Sequence, residues 1–388
     1  MSLRIAFTLI GGRNWTGGYN YLLNLLRVLN EQAEEEVHAV LLAGQDVDPV
    51  ELAPFLEITG CDVCTTSVMD EARRPALQRY CLAFGSHPEV LRILRLHRID
   101  LVFESALFLG WRLPVPAVAW IPDLQHRFLP HLFGRMAWLK RELGFRAQVA
   151  SGRFIMVSSE DSRLHVERLY PSSAGRVRAV RFAVKPGRAH SLEELQGVRQ
   201  RHGLPERFFF MPNQFWAHKN HSLVVQALEI LSREGGPPTV VASGKQLDPR
   251  DPAHFENLRQ RVAGAGLQQA FLMPGLIPYA DVHALMQAST ALINPSLFEG
   301  WSTTVEEARA HGVPMLLSDI PVHREQAGTD AVYFDPHVPA DLARRLLEFQ
   351  PRAPETRARE RESAETLSRE RLARFAQEFL SVARSALA

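Results

Sequence analysis

Short apolar runs recur through the first half of the chain, "LRIAFTLI", "VHAVLLAG", "CDVCTTSV", "LVFES", "AVAWIPD" and "RFIMVSS", with amphipathic stretches between them. Runs that are continuously apolar, rather than alternating, fit strands covered on both faces, and with helices between them they predict parallel βαβ units. Tyr19, Leu22, Leu26 and Leu29 recur at helical spacing after "GGRNWTGG", which gives the first strand, loop and helix. The rhythm lapses over "VRAVRFAVKPGRAHSLEEL" and restarts with "RFFFMPNQ", "PTVVASG", "QAFLMPG", "ALINPS", "MLLSD" and "AVYFDP". The pattern predicts an α/β chain of two doubly wound, Rossmann-like domains, 1–184 and 206–353, joined by a linker at 185–205. From 354 to 388 a helical pattern rich in Arg, Glu and Ala predicts a segment that packs back on one or both domains. Open sheets bind ligands outside the carboxyl ends of their strands, so the expected site is a central cleft that both sheets face.

Composition agrees with two cores. The chain has 388 residues, 46% of them hydrophobic and 22% charged, the balance of a globular protein rather than a disordered one. A formal charge of +1 gives no general field for nucleic acid. Lysine is scarce: only Lys140, Lys185, Lys219 and Lys245 occur, so each is worth examining. Cys61-Asp-Val-Cys64 has redox or half-zinc spacing, but nothing completes a site, and small residues on a buried strand are the expected reading. No apolar run reaches the roughly 18–20 residues of a membrane span, and the amino terminus lacks a signal pattern, so a cytoplasmic protein is expected, with peripheral contact at the inner face of a membrane open.

The chemistry concentrates in "NPSLFEGWSTTVEEARAHGVP". Thr303 with Glu306 fits a capping box, which starts a helix near Thr304, puts Glu307 in the first turn and leaves Glu299 in the loop ahead. Backbone N–H groups of Trp301, Ser302 and Thr303, following Gly300, would project from the helix amino end and favour a phosphate or sugar oxygen. Two carboxylates beside them would accept hydroxyl hydrogen bonds, and a nucleotide sugar carries both kinds of group. A turn-ending Glu299 and dipole-favoured Glu306 and Glu307 on a surface helix are the plainer alternative.

Residues 271–336, with a Pro-Ser, a Glu-Gly, a second Glu after seven intervening residues and a Gly-x-Pro, resemble the GT-B retaining glycosyltransferases, specifically glycosyltransferase family 4, the group 1 transferases. The resemblance implies that Glu307 binds the nucleotide ribose and Glu299 the donor sugar. In "FFFMPNQFWAHKNHSLVVQAL" a lysine opposes the helix dipole where a helix begins, a conflict an anionic ligand would remove. The family's diphosphate-binding lysine falls on Lys219, while its arginine falls on Asn213. His218 and His221 flank the lysine without an evident third metal ligand. The glycine-rich loop of the family matches Gly17 and Gly18, whereas Gly11, Gly12, Gly17 and Gly18 lack the G-x-G-x-x-G spacing of a dinucleotide site.

In "PAVAWIPDLQHRFLP" Asp123 and His126 are expected on a cleft-facing loop; the family's usual histidine position is Pro122, and His126 is its candidate substitute. Both residues can instead serve simply as caps. Ser159 reads as a structural cap. Leu276, in "GLIPYAD", stands where base contacts are expected.

The expected activity is metal-independent, cofactor-independent transfer of a hexosyl-type sugar, with retention, from a nucleoside-diphosphate sugar to a glycan, lipid-linked or small-molecule acceptor in polysaccharide biosynthesis. No nucleic acid is expected as a partner. An epimerase of the same fold, a phosphorylase with a pyridoxal lysine, and a non-catalytic nucleotide-sugar-binding subunit are the rivals. "FGRMAWLKRELGFR" mixes apolar and basic residues and reads as a half-buried core helix or, alternatively, as a membrane contact.

Overall fold

All twelve apolar runs form strands in the structure, a computed structural model that describes residues 2–10 and 16–388. The first sheet contains β1 (Leu3–Thr8), β2 (Val37–Ala43), β3 (Cys61–Thr65), β4 (Leu101–Ser105), β5 (Ala117–Trp120), β6 (Phe154–Val157) and β7 (Val177–Ala179), in the order β3-β2-β1-β4-β5-β6-β7. The second contains β8 (Phe209–Met211), β9 (Val240–Ser243), β10 (Phe271–Gly275), β11 (Ala291–Asn294), β12 (Met315–Ser318) and β13 (Ala331–Phe334), in the order β10-β9-β8-β11-β12-β13. Every strand pair is parallel, and central strands such as β4, β9 and β11 are buried along their length, as continuous apolar runs require. β7 has no counterpart in the sequence pattern: it is three residues at a sheet edge, with a polar Arg178 at its centre.

The chain divides into two compact units. Unit 1 holds Met1–Leu124, Arg135–Ala183 and Glu370–Ala388; unit 2 holds Gln125–Gly134 and Val184–Arg369. Two stretches thus lie elsewhere than the sequence division puts them, while the terminal helix packs back on both units, within the expectation. The whole of the expected linker is built into unit 2: Ser191 and Glu194 form a capping box for the helix Leu192–Arg201, and Arg201 and His202 both bond Asp281. The stretch 125–134 joins unit 2 because Phe128 stacks on Phe298 at 5.3 Å and Arg250 donates to Gln125 at 2.7 Å. The terminal helix Pro354–Leu387 is shared, its last part belonging to unit 1, where Phe379 packs against Phe7 and Phe103.

The cysteine strand also differs from expectation. β3 is an edge strand, half-exposed, and Cys61, Cys64 and Cys81 are free thiols. Burial pushes the Cys61 thiol up to about 12, which makes it inert. No helix among the described residues is long and apolar enough to cross a membrane.

Candidate functional site

In unit 2 the strand order reverses at β8, which has β9 on one side and β11 on the other. Connections leaving β8 and β11 therefore diverge, and their carboxyl ends open a crevice without any special side chain. Lys219 follows β8 and Glu299 follows β11; the Lys219 Nζ donates to Glu299 Oε1 at 2.5 Å, with only 15% and 9% of the two side chains exposed.

The lysine loop is fixed from several directions. Ala217 N donates to Asp248 Oδ2 at 2.9 Å, and Leu297 N donates to the His218 carbonyl at 2.8 Å, tying the two loops together. Asn220 adopts the left-handed conformation (φ 56°), where Asn is tolerated, and its amide donates to the carbonyls of Pro295 and Pro336. Burial drives His218 well below the usual histidine range, and the neighbouring Lys219 adds to it, so a neutral ring accepts from Arg250 Nη2 at 3.2 Å. Arg250 also grips Asp248, so residues 248–251 brace the lysine loop.

The glutamate loop is braced by the helix Pro321–Ala327. The Gln326 side chain accepts from Ser302 N at 3.2 Å and donates to Ser302 O at 2.8 Å and to Glu306 Oε1 at 2.9 Å. This overturns part of the sequence expectation. Ser302, not Thr303, is the residue at the helix cap of Thr303–Ala310, no side chain caps it, and Glu306 is bonded by Arg309 and Gln326 rather than reaching back to the cap. The Ser302 N–H therefore belongs to Gln326, and donors for a ligand reduce to the first-turn groups that no helix can satisfy internally. Gly300 and Trp301 are buried within the same loop, and Thr303 is half-buried at its end.

Glu307 faces inward and is 4% exposed; its Oε1 accepts from Tyr279 Oη at 2.6 Å. Burial pushes its carboxyl up to about 7, against the lowering effect of the tyrosine hydrogen bond. The Tyr279 ring meets His283 edge-on at 4.6 Å, and His283 Nδ1 lies 2.9 Å from His311 Nε2, a pair that burial holds below the usual histidine range. On the other side His323, fully buried, hydrogen-bonds through Nδ1 to the Ser318 carbonyl at 3.0 Å, and burial depresses it to about 4.

Other expected residues fall differently. Asn213 is 3% exposed and its amide nitrogen is buried without a partner, so in this conformation it presents no donor to a ligand. His126 is wholly buried on the short helix Gln125–Phe128, which removes it from acceptor contact as placed. Asp123 belongs to unit 1, where Arg141 Nη2 bonds it at 2.7 Å. Gly17 and Gly18 open the helix Thr16–Gln32 instead of lying in a loop, while Gly11 and Gly12 are outside the described residues. Leu276 is 69% exposed after β10. Ser159 caps its helix, accepting from Ser162 N at 3.0 Å. His218 and His221 do not assemble a metal set; among the described residues no three His, Cys, Asp or Glu side chains do. Tyr279, Gln326, His323 and Arg250 were not singled out as site residues by the sequence, although Tyr279 lies in "GLIPYAD" and His323 and Gln326 lie within 271–336.

Comparison with known proteins shows what the chain is similar to. Residues 197–366 match the family model of glycosyl transferases group 1. A 162-residue stretch covering 41% of the chain is 27% identical to the serotype-specific mannosyltransferase WbdA of Escherichia coli, and spans only 19% of that protein. The O-antigen chain mannosyltransferase RfbU of Salmonella typhimurium is 24% identical over 334 residues, 84% of each chain. Anabaena Alr3699/HepE, solved in complex with UDP-glucose, superposes with a TM-score of 0.71 at 16% identity, over 99% of both chains. The fold is thus α/β of the GT-B kind, with two parallel, Rossmann-like sheets.

Proposed function

We propose that this chain, whose residues 197–366 match the group 1 glycosyl transferases, is a retaining, family 4-like hexosyltransferase that uses a nucleoside-diphosphate sugar. One observation carries the reading: Lys219 and Glu299, 80 residues apart, form a partly buried pair at the point where the strand order of unit 2 reverses. A partly buried lysine bonded to a single carboxylate oxygen keeps further N–H donors for a leaving diphosphate. Glu307, poised near neutrality and already accepting a hydroxyl from Tyr279, suits a ribose diol, and Glu299 suits the donor sugar.

In the proposed reaction the acceptor hydroxyl attacks the anomeric carbon on the face from which the diphosphate departs. The new glycosidic bond forms as the sugar–phosphate bond breaks through an oxocarbenium-like state, and the diphosphate oxygen takes the hydroxyl proton. Lys219 and the first-turn N–H groups of Thr303–Ala310 would stabilise charge on the leaving group, a contribution on the order of 3–4 kcal/mol per well-placed donor in comparable sites. Those donors supply the positive field, so no divalent metal is required; transfer is expected to persist in chelator. RfbU is an O-antigen chain mannosyltransferase, which makes a surface glycan the favoured acceptor class.

Thermal stabilisation by a panel of nucleotides and nucleotide sugars tests the reading, because a ligand of the native state raises the melting temperature. One nucleoside diphosphate should stabilise the wild type, and Lys219→Met and Glu307→Ala should abolish the shift. Failure of every ligand, or unchanged shifts in both variants, overturns it. Buried Asn213 at the family's arginine position favours one alternative, a binding subunit without catalysis, which predicts donor binding with neither transfer nor donor hydrolysis.

A further inference from the structure

The helix Arg135–Ala150 of unit 1 is apolar on two sides. Phe145 and Val149 are buried on one, with Glu142, its only acid, bonded to Tyr170 Oη at 2.9 Å and to Arg146. Met136, Leu139 and Leu143 occupy the opposite side, spaced i, i+3 and i+7, and are 76%, 43% and 53% exposed. At 3.6 residues per turn these three make one stripe, with Arg135 and Arg146 along one edge and Lys140 along the other. All three cations are exposed, Arg146 keeping 62% of its side chain in solvent despite its bond to Glu142. The helix is half-buried, as expected, and among the described residues the stripe of Met136, Leu139 and Leu143 is left exposed.

We propose that this stripe docks unit 1 on an anionic bilayer, the helix lying in the interface plane. An apolar centre rimmed by long cationic side chains is what such a helix requires, since the leucines and methionine enter the acyl boundary while the rim meets anionic headgroups. The acid that would repel those headgroups is buried and bonded by Arg146 and the Tyr170 hydroxyl. A second copy of the chain is disfavoured as the occupant, because it would set the same cations against each other, and an acidic protein surface gives an outcome that the test separates.

The experiment is sedimentation of the full chain with vesicles of phosphatidylcholine alone or mixed with phosphatidylglycerol, at low and high salt. Binding is expected only with phosphatidylglycerol present, weakened by salt. The pair Met136→Glu with Leu143→Glu should weaken it by about tenfold or more, and Arg135→Gln with Lys140→Gln should weaken it and reduce its salt dependence. These positions are exposed, so melting temperatures should not move; should the acidic pair lower them, Met136→Ser with Leu143→Ser reads the same effect. No binding to either vesicle, equal binding to phosphatidylcholine alone, or wild-type binding by the variants overturns the proposal. Nucleotide stabilisation is read independently, so either conclusion can fail without the other.

Discussion

At the residue scale, the most consequential group is Glu307. Its carboxyl ordinarily titrates at 4.5 and burial raises it to about 7, so the folded chain holds a proton that the unfolded chain releases. The stability from this group is fully present below pH 4.5 and is lost as pH rises through 7. Glu307→Gln keeps an oxygen for the Tyr279 hydroxyl and removes the titration. Its unfolding free energy should therefore vary less than wild type between pH 4.5 and 7, by a difference on the order of 3 kcal/mol across that window. Denaturant titrations at several pH values measure it. The depressed His221, His311 and His323 act in the opposite sense, stabilising above pH 6.5 and costing stability as pH falls, and they cancel in the comparison because both proteins carry them. Glu299, Glu307 and Lys219 were legible in the sequence by type and spacing. Asn213 and His126 were misplaced because burial is a property of what packs around a side chain, which its own neighbours in sequence do not report.

At the element scale, the site is held by bonds between elements distant in the chain. Gln326→Ala would leave Ser302 N–H and C=O and Glu306 short of a buried partner, with an expected cost of about 1–3 kcal/mol and weaker nucleotide stabilisation. Unaltered nucleotide binding in a folded Gln326→Ala protein would show that the glutamate loop needs no brace. Gly244, just past β9, has φ 154° and sits so close that an added Cβ would be 2.5 Å from the Asn213 carbonyl oxygen. Gly244→Ala should displace the Asn213–Gln214 backbone ahead of Lys219, lowering both the melting temperature and the response to nucleotide. Neither residue was visible as a site residue: Gln326 acts across 24 positions of sequence on Ser302, and Gly244 matters only because another strand's loop passes over it.

At the scale of the whole molecule, the terminal helix closes the core of unit 1. Phe375 and Phe379 are 0% and 1% exposed, and Phe379 stacks on Phe7 at 5.9 Å and meets Phe103 at 5.5 Å. Phe379→Ala should cost about 3–5 kcal/mol, and truncation after Arg369 should uncover Phe7 and Phe103 and cause aggregation, read by light scattering during a thermal ramp. The chain's own pattern of continuous apolar runs determined two parallel sheets, because a strand covered on both faces must be apolar throughout. It also determined the acids and the lysine that define the candidate site. The edge strand β7, the sharing of the terminal helix, the transfer of 125–134 to unit 2 and the Ser302–Gln326 brace were decided only in three dimensions. Each depends on which surfaces meet after the sheets have formed, and short polar segments take their place from those surfaces rather than from a period of their own.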